Sequence, residues 1–514
     1  MRTIEIMDTT LRDGEQTDGV SFSAFEKLQL TRFLLEKLGV DRVEIASARV
    51  SAGELDSMRE VFAWAREKGQ DHRIEILGFC DHRASVNWIK EAGGSVINLL
   101  TKGSQRHCEL QLGKTLAEHL ADIRATIHYA DEQGVRVNVY LEDWSNGYLH
   151  SPDYVRELVG ELQKLPVQRL LLPDTLGILA PEEVHAAIRD LLDRYPDLDV
   201  DFHGHNDYNL VVANCMAAIR AGVKGLHTSV NGLGERAGNA PLESVVTAVH
   251  DKLQLHTNIV EKEITTASRL VETFSGKRIQ SNRPVVGQDV YTQTAGIHAD
   301  GDKKNNLYVN PILPERFGRQ RVYALGKLAG KASVENNLQM LGIELQPERE
   351  KRLLDRIKEL GEQKKTVTAD DLPFLIQDLF GTKGEVEVLK ITDAEVTTRF
   401  GATPSAHVEI EYRGESYAGD ADGDGGYDAF MNALRKLAIE IDLTIPRLVD
   451  YEVRIPPGGK TDALVEAVIT WEIAAGERHF RTVGVDHDQV VAAIKATEKM
   501  LNRLMLPAKI FAGS

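Results

Sequence analysis

Short apolar runs alternate with amphipathic stretches over the first half of the chain. Residues 23–37 place apolar side chains at helical spacing, and residues 181–195 begin with a proline that suits a first helical turn. Eight intervening apolar runs are typical of strands: Ile4–Met7, Arg42–Ile45, Ile74–Phe79, Val96–Leu100, Val135–Leu141, Arg169–Leu172, Val200–His203 and Gly225–Val230. Strand and helix alternating eight times predict a parallel sheet that closes into a TIM (β/α)8 barrel.

The pattern changes after about residue 265. Helical stretches at residues 347–361 and 370–379 follow a polar, glycine-bearing segment, which predicts a linker and a helical subdomain. Beyond about residue 386 the chain repeats a strand-strand-strand-helix pattern twice. We therefore predict an α/β protein of three domains: a TIM barrel at residues 1–265, a linker and helical subdomain at 266–385, and a C-terminal α+β domain with a duplicated βββα unit at 386–514.

Composition narrows the class of function. The chain has 61 Lys and Arg against 78 Asp and Glu, and its net charge of −17 disfavours binding to nucleic acid or to an anionic membrane surface. Only three cysteines occur, far apart in the sequence, which suits a reducing compartment. Neither a signal-peptide pattern nor an apolar run of about 18 residues is present. We expect a soluble, cytoplasmic protein.

Polar side chains collect where the predicted strands end. The triplet from His203 to His205 closes the seventh strand, and an acidic turn that contains Arg12 and Asp13 follows the first. Two histidines separated by one residue on a strand point to the same side, so both imidazoles reach one metal ion, with Asp13 as a candidate third ligand. Because the active site of a TIM barrel lies at the carboxyl ends of its strands, we predict a metal centre there.

The same turn suggests a class of substrate. A metal ion with an open coordination position beside Arg12 suits a 2-oxo acid that chelates through its ketone and carboxylate oxygens. The guanidinium of Arg12 would neutralise the oxyanion that develops from the ketone. Thr175 follows the sixth predicted strand and is a candidate donor to the substrate carboxylate.

Several sequence motifs point to one family. They are Asp8–Gln16, Phe202–Asp207, Asn231–Asn239, Gly296–Gly301, and Gly425–Ala429 followed by Asp450–Val453. In these motifs the chain resembles the family of the α-isopropylmalate synthases and their close relatives, the citramalate synthases, over essentially its whole length. The resemblance implies a Claisen condensation of acetyl-CoA with a 2-oxo acid, followed by hydrolysis of the thioester.

The resemblance also assigns roles to residues. It implies a divalent cation, with Mg2+, Mn2+ and Zn2+ left open, held by Asp13, His203, His205 and Asn239. It implies that Arg12 assists the ketone, and it gives acid and base roles to Glu142, His298 and Tyr308. In the family the helical subdomain, which carries the last two residues, is offered to the barrel of the other subunit, so the resemblance implies a homodimer.

The size of the acceptor pocket separates the members of this family. Leu77, Leu100 and Tyr140, on the third, fourth and fifth predicted strands, are the residues expected to face the substrate, and all three are bulky. Pyruvate needs a tight wall around one methyl group, whereas 2-oxoisovalerate needs room for a branched side chain. The sequence around Tyr140 also resembles the citramalate synthases. We predict pyruvate as the acceptor and (R)-citramalate as the product, with 2-oxoisovalerate as the alternative.

The C-terminal domain resembles the one through which an end product inhibits this family. For citramalate that product is isoleucine, a ligand that prefers apolar walls. The candidate residues for this allosteric site are Tyr427, Asp428, Leu448, Tyr451, Ile455 and Val465.

Two hypotheses from other classes compete with the synthase. A metal-dependent acyl-CoA lyase would share the acidic turn and the paired histidines, but such lyases usually end soon after the barrel. A binding protein with an inactive barrel would have lost Arg12, Asp13 or one histidine, and all are present. The long C-terminal domain therefore favours the synthase.

Overall fold

The computed structural model describes residues 2–303, 307–340, 343–362, 367, 369–380, 389–454, 465–473 and 479–505. The chain forms two compact units. The first comprises Met1–Tyr291 with Asn310–Gln320, and the second comprises Thr292–Val309 with Arg321–Ser514. Among the described residues, no helix is both long and apolar enough to cross a membrane.

A closed barrel of eight strands in sequential order forms the centre of the first unit. The strands are β1 (Glu5–Asp8), β2 (Arg42–Ser47), β3 (Ile74–Phe79), β4 (Val96–Lys102), β5 (Arg136–Glu142), β6 (Val167–Asp174), β7 (Val200–Gly204) and β8 (Gly225–Thr228). Neighbouring strands pair in parallel, and β8 pairs with β1 to close the barrel. The predicted TIM barrel is confirmed, and each of the eight predicted strands overlaps an observed one.

Eleven α-helices of the first unit connect or follow these strands. They are α1 (Ala24–Phe33), α2 (Ala52–Glu67), α3 (Ala84–Ala92), α4 (Gln105–Gln111), α5 (Leu116–Glu132), α6 (Trp144–His150), α7 (Pro152–Leu162), α8 (Pro181–Arg194), α9 (Val211–Ala221), α10 (Leu242–Leu253) and α11 (Ile264–Ser275). Local signals set their starts: Ser23 and Glu26 form a capping box at α1, and Pro181 is the first residue of α8.

The barrel interior is largely polar at its base. Arg42 on β2 forms ion pairs with Glu75 on β3 and with Asp201 on β7. Arg169 on β6 also pairs with Asp201, at 3.2 Å. These side chains join four strands, because alternate residues of every strand point inward. The polar layer lies below the residues that form the candidate site.

The second unit begins with small elements, of which the last three helices contribute to a separate apolar core. They are β9 (Thr292–Gln293), α12 (Gly296–Lys303), β10 (Val322–Tyr323), α13 (Lys331–Met340), α14 (Pro347–Glu362) and α15 (Leu372–Phe380). Leu338, Leu353 and Ile357 are buried in this core. The two helices predicted at residues 347–361 and 370–379 correspond to α14 and α15.

Two three-stranded antiparallel sheets follow, each with a helix after it. Their elements are β11 (Lys390–Thr397), β12 (Ser405–Tyr412), β13 (Glu415–Asp422), α16 (Gly426–Glu440), β14 (Arg447–Arg454), β15 (Val465–Glu472), β16 (His479–Asp486) and α17 (Gln489–Met505). Both sheets and both helices contribute to one apolar core, which includes Phe430 and Trp471. The duplicated βββα unit predicted from the sequence is therefore confirmed.

Candidate active site

Three candidate metal ligands converge at the mouth of the barrel. His203 lies on β7, His205 lies just beyond it, and Asp13 lies in the turn after β1. His203 Nε2 is 3.3 Å from Asp13 Oδ2 and 3.3 Å from His205 Nε2, while His205 Nε2 is 4.0 Å from Asp13 Oδ2. All three side chains are buried. The structure thus brings together the three ligands predicted from spacing, in an arrangement that could hold a metal ion.

The backbone of Asn239, the fourth predicted ligand, lies next to that of His205. It forms an isolated antiparallel bridge with His205, and its Nδ2 donates a hydrogen bond to the Leu233 carbonyl at 3.0 Å. A Cβ atom at Gly234 would collide with Asn239 Nδ2, so the close approach of this loop requires a glycine. The side-chain Oδ1 of Asn239 takes no part in these contacts and could serve as a metal ligand.

The donor set fits a divalent cation. Oδ1 of Asp13 and Oδ1 of Asn239 are buried and have no hydrogen-bond partner among the described residues. Buried oxygen atoms without a donor are costly, and a cation would relieve that cost. Burial and the neighbouring His203 lower the pKa of His205 to about 4, so its imidazole is neutral near pH 7. A neutral imidazole and a carboxylate are the protonation states that metal binding requires.

Arg12 lies between the candidate metal centre and the barrel interior. Its Nε donates to Glu44 Oε2 at 2.5 Å, Nη1 to Asp13 Oδ2 at 3.0 Å, and Nη2 to the Tyr140 hydroxyl at 3.3 Å. Burial alone would lower the pKa of Arg12, but the carboxylates of Glu44 and Asp13 outweigh it and raise the pKa. The guanidinium is therefore charged and fixed in orientation beside the site.

The three predicted pocket residues meet in one apolar cluster inside the barrel. Leu77 on β3 and Tyr140 on β5 are buried together with Met7 and Leu171, and Leu100 on β4 packs against them. Leu100 and Tyr140 are paired across neighbouring strands. The side chains of Leu77, Leu100 and Tyr140 lie together in this cluster. Their contact with a substrate stays a prediction.

The sequence patterns did not predict two polar residues at this cluster, His227 and Asn98. The Tyr140 hydroxyl lies 2.9 Å from His227 Nδ1 on β8, and Glu44 also accepts a hydrogen bond from Asn98 Nδ2 at 2.7 Å. Strand alternation indicates only that these residues point inward. Which inward residues touch across the barrel depends on the barrel geometry, which no local pattern encodes.

The predicted acid and base residue Glu142 ends β5 and forms an ion pair with Lys102 at the end of β4. Lys102 was not expected at the site. The hydroxyl of Thr175 accepts a hydrogen bond from the backbone N–H of Asp143 at 3.0 Å. Because this bond uses the hydroxyl oxygen as an acceptor, the hydroxyl hydrogen is still able to donate to a ligand.

His298 and Tyr308 belong to the second unit. Their ring centroids are 4.3 Å apart, so the structure brings these two predicted residues together. His298 lies on α12. The role of both residues in acid and base chemistry stays a prediction.

The candidate allosteric residues lie mostly within the core of the C-terminal domain. Tyr427 and Tyr451 approach with ring centroids 5.1 Å apart, and the Tyr427 hydroxyl is 2.6 Å from Thr497 Oγ1. Val465 is buried and Leu448 packs against the same core, whereas Asp428 is exposed. Ile455 lies outside the described residues. A ligand contact for any of them stays a prediction.

Comparison with known proteins gives three matched domains. Residues 3–271 match the HMGL-like family, residues 285–365 match the domain described as homocitrate synthase post-HMGL domain-like, and residues 366–505 match the LeuA allosteric (dimerisation) domain. The first match covers the barrel, and the last covers the two βββα units. Together they span nearly the whole chain.

Curated relatives match over almost their full length. A putative (R)-citramalate synthase of Methanopyrus kandleri is 32% identical over 98% of this chain and 96% of its own. A second from Archaeoglobus fulgidus is 34% identical, covering 98% of this chain and 99% of its own. A probable 2-isopropylmalate synthase of Methanopyrus kandleri is 33% identical over 98% of both chains. The chain therefore belongs to the α-isopropylmalate synthase and homocitrate synthase family of acyltransferases.

Proposed function

We propose that this enzyme is an (R)-citramalate synthase, which condenses acetyl-CoA with pyruvate and hydrolyses the thioester to release (R)-citramalate and CoA. The observation that carries the choice of acceptor is the cluster of Leu77, Leu100 and Tyr140 beside Arg12. Relatives named for citramalate and for 2-isopropylmalate synthesis are about equally similar to this chain, at 32% and 33% identity, so identity alone does not separate the two activities.

The acceptor pocket limits the size of the 2-oxo acid. A ketone placed next to Arg12 and the candidate metal centre would direct its side chain toward the apolar cluster, where Leu77 and Tyr140 are both less than a tenth exposed. One methyl group requires little space there, whereas a branched chain requires these side chains to move. Filling of space typically separates substrates by about 1–3 kcal/mol per methylene group.

The chemistry forms one carbon–carbon bond and then breaks one thioester. A base removes a proton from the acetyl methyl group, the resulting carbanion attacks the ketone carbon of pyruvate, and the ketone oxygen becomes an alkoxide that takes up a proton. Water then hydrolyses the thioester. A bound divalent cation (Mn2+, Mg2+ or Zn2+) would supply Lewis-acid polarisation of the ketone. Arg12 stabilises the charge that develops on the ketone oxygen.

Proton transfer requires groups positioned on both reactants. We assign this role to Glu142, whose ion pair with Lys102 holds its carboxylate in a defined place, and to His298 with its neighbour Tyr308. The match to a LeuA dimerisation domain supports a homodimer, in which each helical subdomain would serve the barrel of the partner chain. Thr175 would donate to the carboxylate of the acceptor.

Regulation and location follow from the same assignment. The LeuA allosteric domain supports feedback inhibition, and isoleucine is the end product that a citramalate route would supply. We propose that isoleucine binds among Tyr427, Asp428, Leu448, Tyr451, Ile455 and Val465, and that the enzyme works in the cytoplasm.

Product analysis tests the proposal. The purified enzyme is incubated with acetyl-CoA and Mn2+, together with either pyruvate or 2-oxoisovalerate, and the acids formed are separated by chiral chromatography and identified by mass. We expect (R)-citramalate to be the main product. Formation of 2-isopropylmalate at the higher rate would instead identify a 2-isopropylmalate synthase. Formation of neither acid, together with carbon–carbon cleavage of a separately supplied 3-hydroxyacyl-CoA, would identify a lyase.

A further inference from the structure

The shortest hydrogen bond of the Tyr140 hydroxyl reaches a residue to which neither the family motifs nor the proposed chemistry gives a role. It joins the hydroxyl to Nδ1 of His227 on β8 at 2.9 Å, whereas Arg12 Nη2 is 3.3 Å away and Glu44 Oε2 is 3.4 Å away. The side chain of His227 is fully buried, and Tyr140 is 3% exposed. Solvent therefore does not compete for this bond.

The direction of the bond follows from the next partner. His227 Nε2 lies 3.4 Å from Asp201 Oδ2, and the Asp201 carboxylate also pairs with the guanidinium groups of Arg42 and Arg169. A carboxylate only accepts hydrogen bonds, so the ring proton of the neutral imidazole belongs on Nε2. Nδ1 is then an acceptor, and the Tyr140 hydroxyl donates to it.

The direction of the hydrogen bond between Tyr140 and His227 affects the contact of Tyr140 with Arg12. When the Tyr140 proton is donated to His227, the phenolic oxygen keeps its lone pairs for the Nη2 group of Arg12. Without His227, the nearest other acceptor is Glu44 Oε2, which already accepts from Arg12 Nε at 2.5 Å. The Tyr140 hydroxyl would then compete with Arg12 for the same carboxylate oxygen, and both side chains would lose their fixed positions.

The base of the barrel anchors the histidine. Asp201 also forms ion pairs with Arg42 and Arg169. Arg12 donates to Tyr140, Tyr140 donates to His227, and His227 donates to Asp201, so this chain of hydrogen bonds ends at the Asp201 carboxylate. The orientation of the tyrosine ring in the apolar cluster is thus fixed by residues outside the cluster.

We propose that His227, held by Asp201, is a positioning residue that determines acceptor selectivity by fixing Tyr140 in the pocket and leaving its oxygen free to orient Arg12. This inference rests on the proposed synthase function. It adds His227 to the specificity determinants as a residue that acts through Tyr140.

A double-mutant cycle tests the proposal. The variants are His227→Leu, His227→Gln, Tyr140→Phe, and the double variant with His227→Leu and Tyr140→Phe, with kcat/KM measured for pyruvate and for 2-oxobutanoate, which is one methylene longer. We expect His227→Leu to reduce the ratio of pyruvate to 2-oxobutanoate by about tenfold or more. Tyr140→Phe should give a similar reduction, and the double variant should add little to it, because both changes remove the same bond.

His227→Gln should keep most of the wild-type ratio of kcat/KM for pyruvate to kcat/KM for 2-oxobutanoate. The glutamine amide can accept a hydrogen bond from Tyr140 and donate one to Asp201. His250→Gln is the matched control: this histidine of the same unit is hydrogen-bonded to Glu261 and Thr257, and its loss should not change the ratio. If His227→Leu does not fold, His227→Ala, which also removes both ring nitrogens, takes its place and should lower the ratio in the same way.

Equal losses for both substrates in folded His227 variants, or additive effects in the double variant, would overturn the role of His227. A wild-type enzyme that prefers pyruvate, together with a folded His227→Leu variant that keeps the wild-type ratio, contradicts this inference alone. A wild-type enzyme that prefers 2-oxoisovalerate contradicts the proposed function, whatever the variants do.

Discussion

Asp13 and His203 come from opposite ends of the barrel sequence, yet Asp13 Oδ2 lies 3.3 Å from His203 Nε2. Burial would raise the pKa of Asp13, but Arg12 and the two imidazoles hold it well below its usual value. A carboxylate that stays charged next to the neutral imidazole of His205 is a prepared metal ligand.

We predict that His203→Ala lowers the affinity for Mn2+ by about 100-fold, or roughly 3 kcal/mol, and abolishes turnover. His250→Ala, which changes a histidine of the same unit away from this centre, should bind Mn2+ as the wild type does. Isothermal titration calorimetry with Mn2+ measures the affinity of both variants. An unchanged affinity in His203→Ala would place the metal elsewhere.

The Leu77 side chain is expected to limit acceptor size. Leu77→Ala should raise kcat/KM for 2-oxoisovalerate relative to pyruvate by about tenfold, because it removes volume from the cluster around Tyr140. Leu172→Ala is the control, since Leu172 is equally buried but packs in the outer core rather than in this cluster. Steady-state kinetics with both acids give the ratio. Equal selectivity in the two variants would argue against the pocket.

Strand alternation explains why this part of the site could be predicted. Leu77, Leu100 and Tyr140 are inward residues on adjacent strands, and the paired histidines are separated by one residue at the end of β7. The polar partners could not be predicted, because Tyr140 and His227 meet across the barrel and an apolar interpretation of the pocket leaves no place for a histidine. The ion pair of Lys102 with Glu142 depends in the same way on the register of two strands.

For the C-terminal domain, the sequence predicts the secondary structure but does not distinguish a ligand site from a packed core. The repeated strand and helix pattern was sufficient to predict two βββα units. The same aromatic residues that suit an apolar ligand also suit a core, and Tyr427 packs with Tyr451 and Phe430. Composition cannot separate a ligand pocket from a packed interior, since both require buried apolar area.

We predict that Tyr451 contributes to inhibition by isoleucine. Tyr451→Ala should raise the isoleucine concentration required for half-inhibition by at least about tenfold while leaving kcat unchanged, because it removes apolar contact area. Tyr417→Ala, at a partly buried tyrosine of the same core, is the control. Inhibition curves at saturating pyruvate measure the effect. If Tyr451→Ala keeps the wild-type curve, isoleucine does not bind at this tyrosine.

Asp8 should make stability depend on pH. Burial raises its pKa from 3.8 to about 7, against weaker opposing hydrogen bonds from Thr10. Between these two values the folded chain holds a proton on Asp8 that the unfolded chain has lost, so the free energy of unfolding falls as pH rises through this window. Above about pH 7 the contribution is constant.

Relative to Asp8→Asn, the wild type should lose roughly 2 kcal/mol between pH 5 and pH 7. Urea unfolding of both proteins at pH 5, 6, 7 and 8, in the presence of a chelator, gives the difference. Parallel stability curves for the two proteins would show that Asp8 ionises normally in the folded state.

The central claim is metal-dependent condensation with pyruvate, and CoA release measures it most directly. Purified enzyme with acetyl-CoA is assayed with pyruvate and with 2-oxoisovalerate in parallel, with added Mn2+ or Mg2+ and again after chelation. We predict turnover that requires the metal and a higher kcat/KM for pyruvate. Equal turnover after chelation, or a higher kcat/KM for 2-oxoisovalerate, would contradict this account.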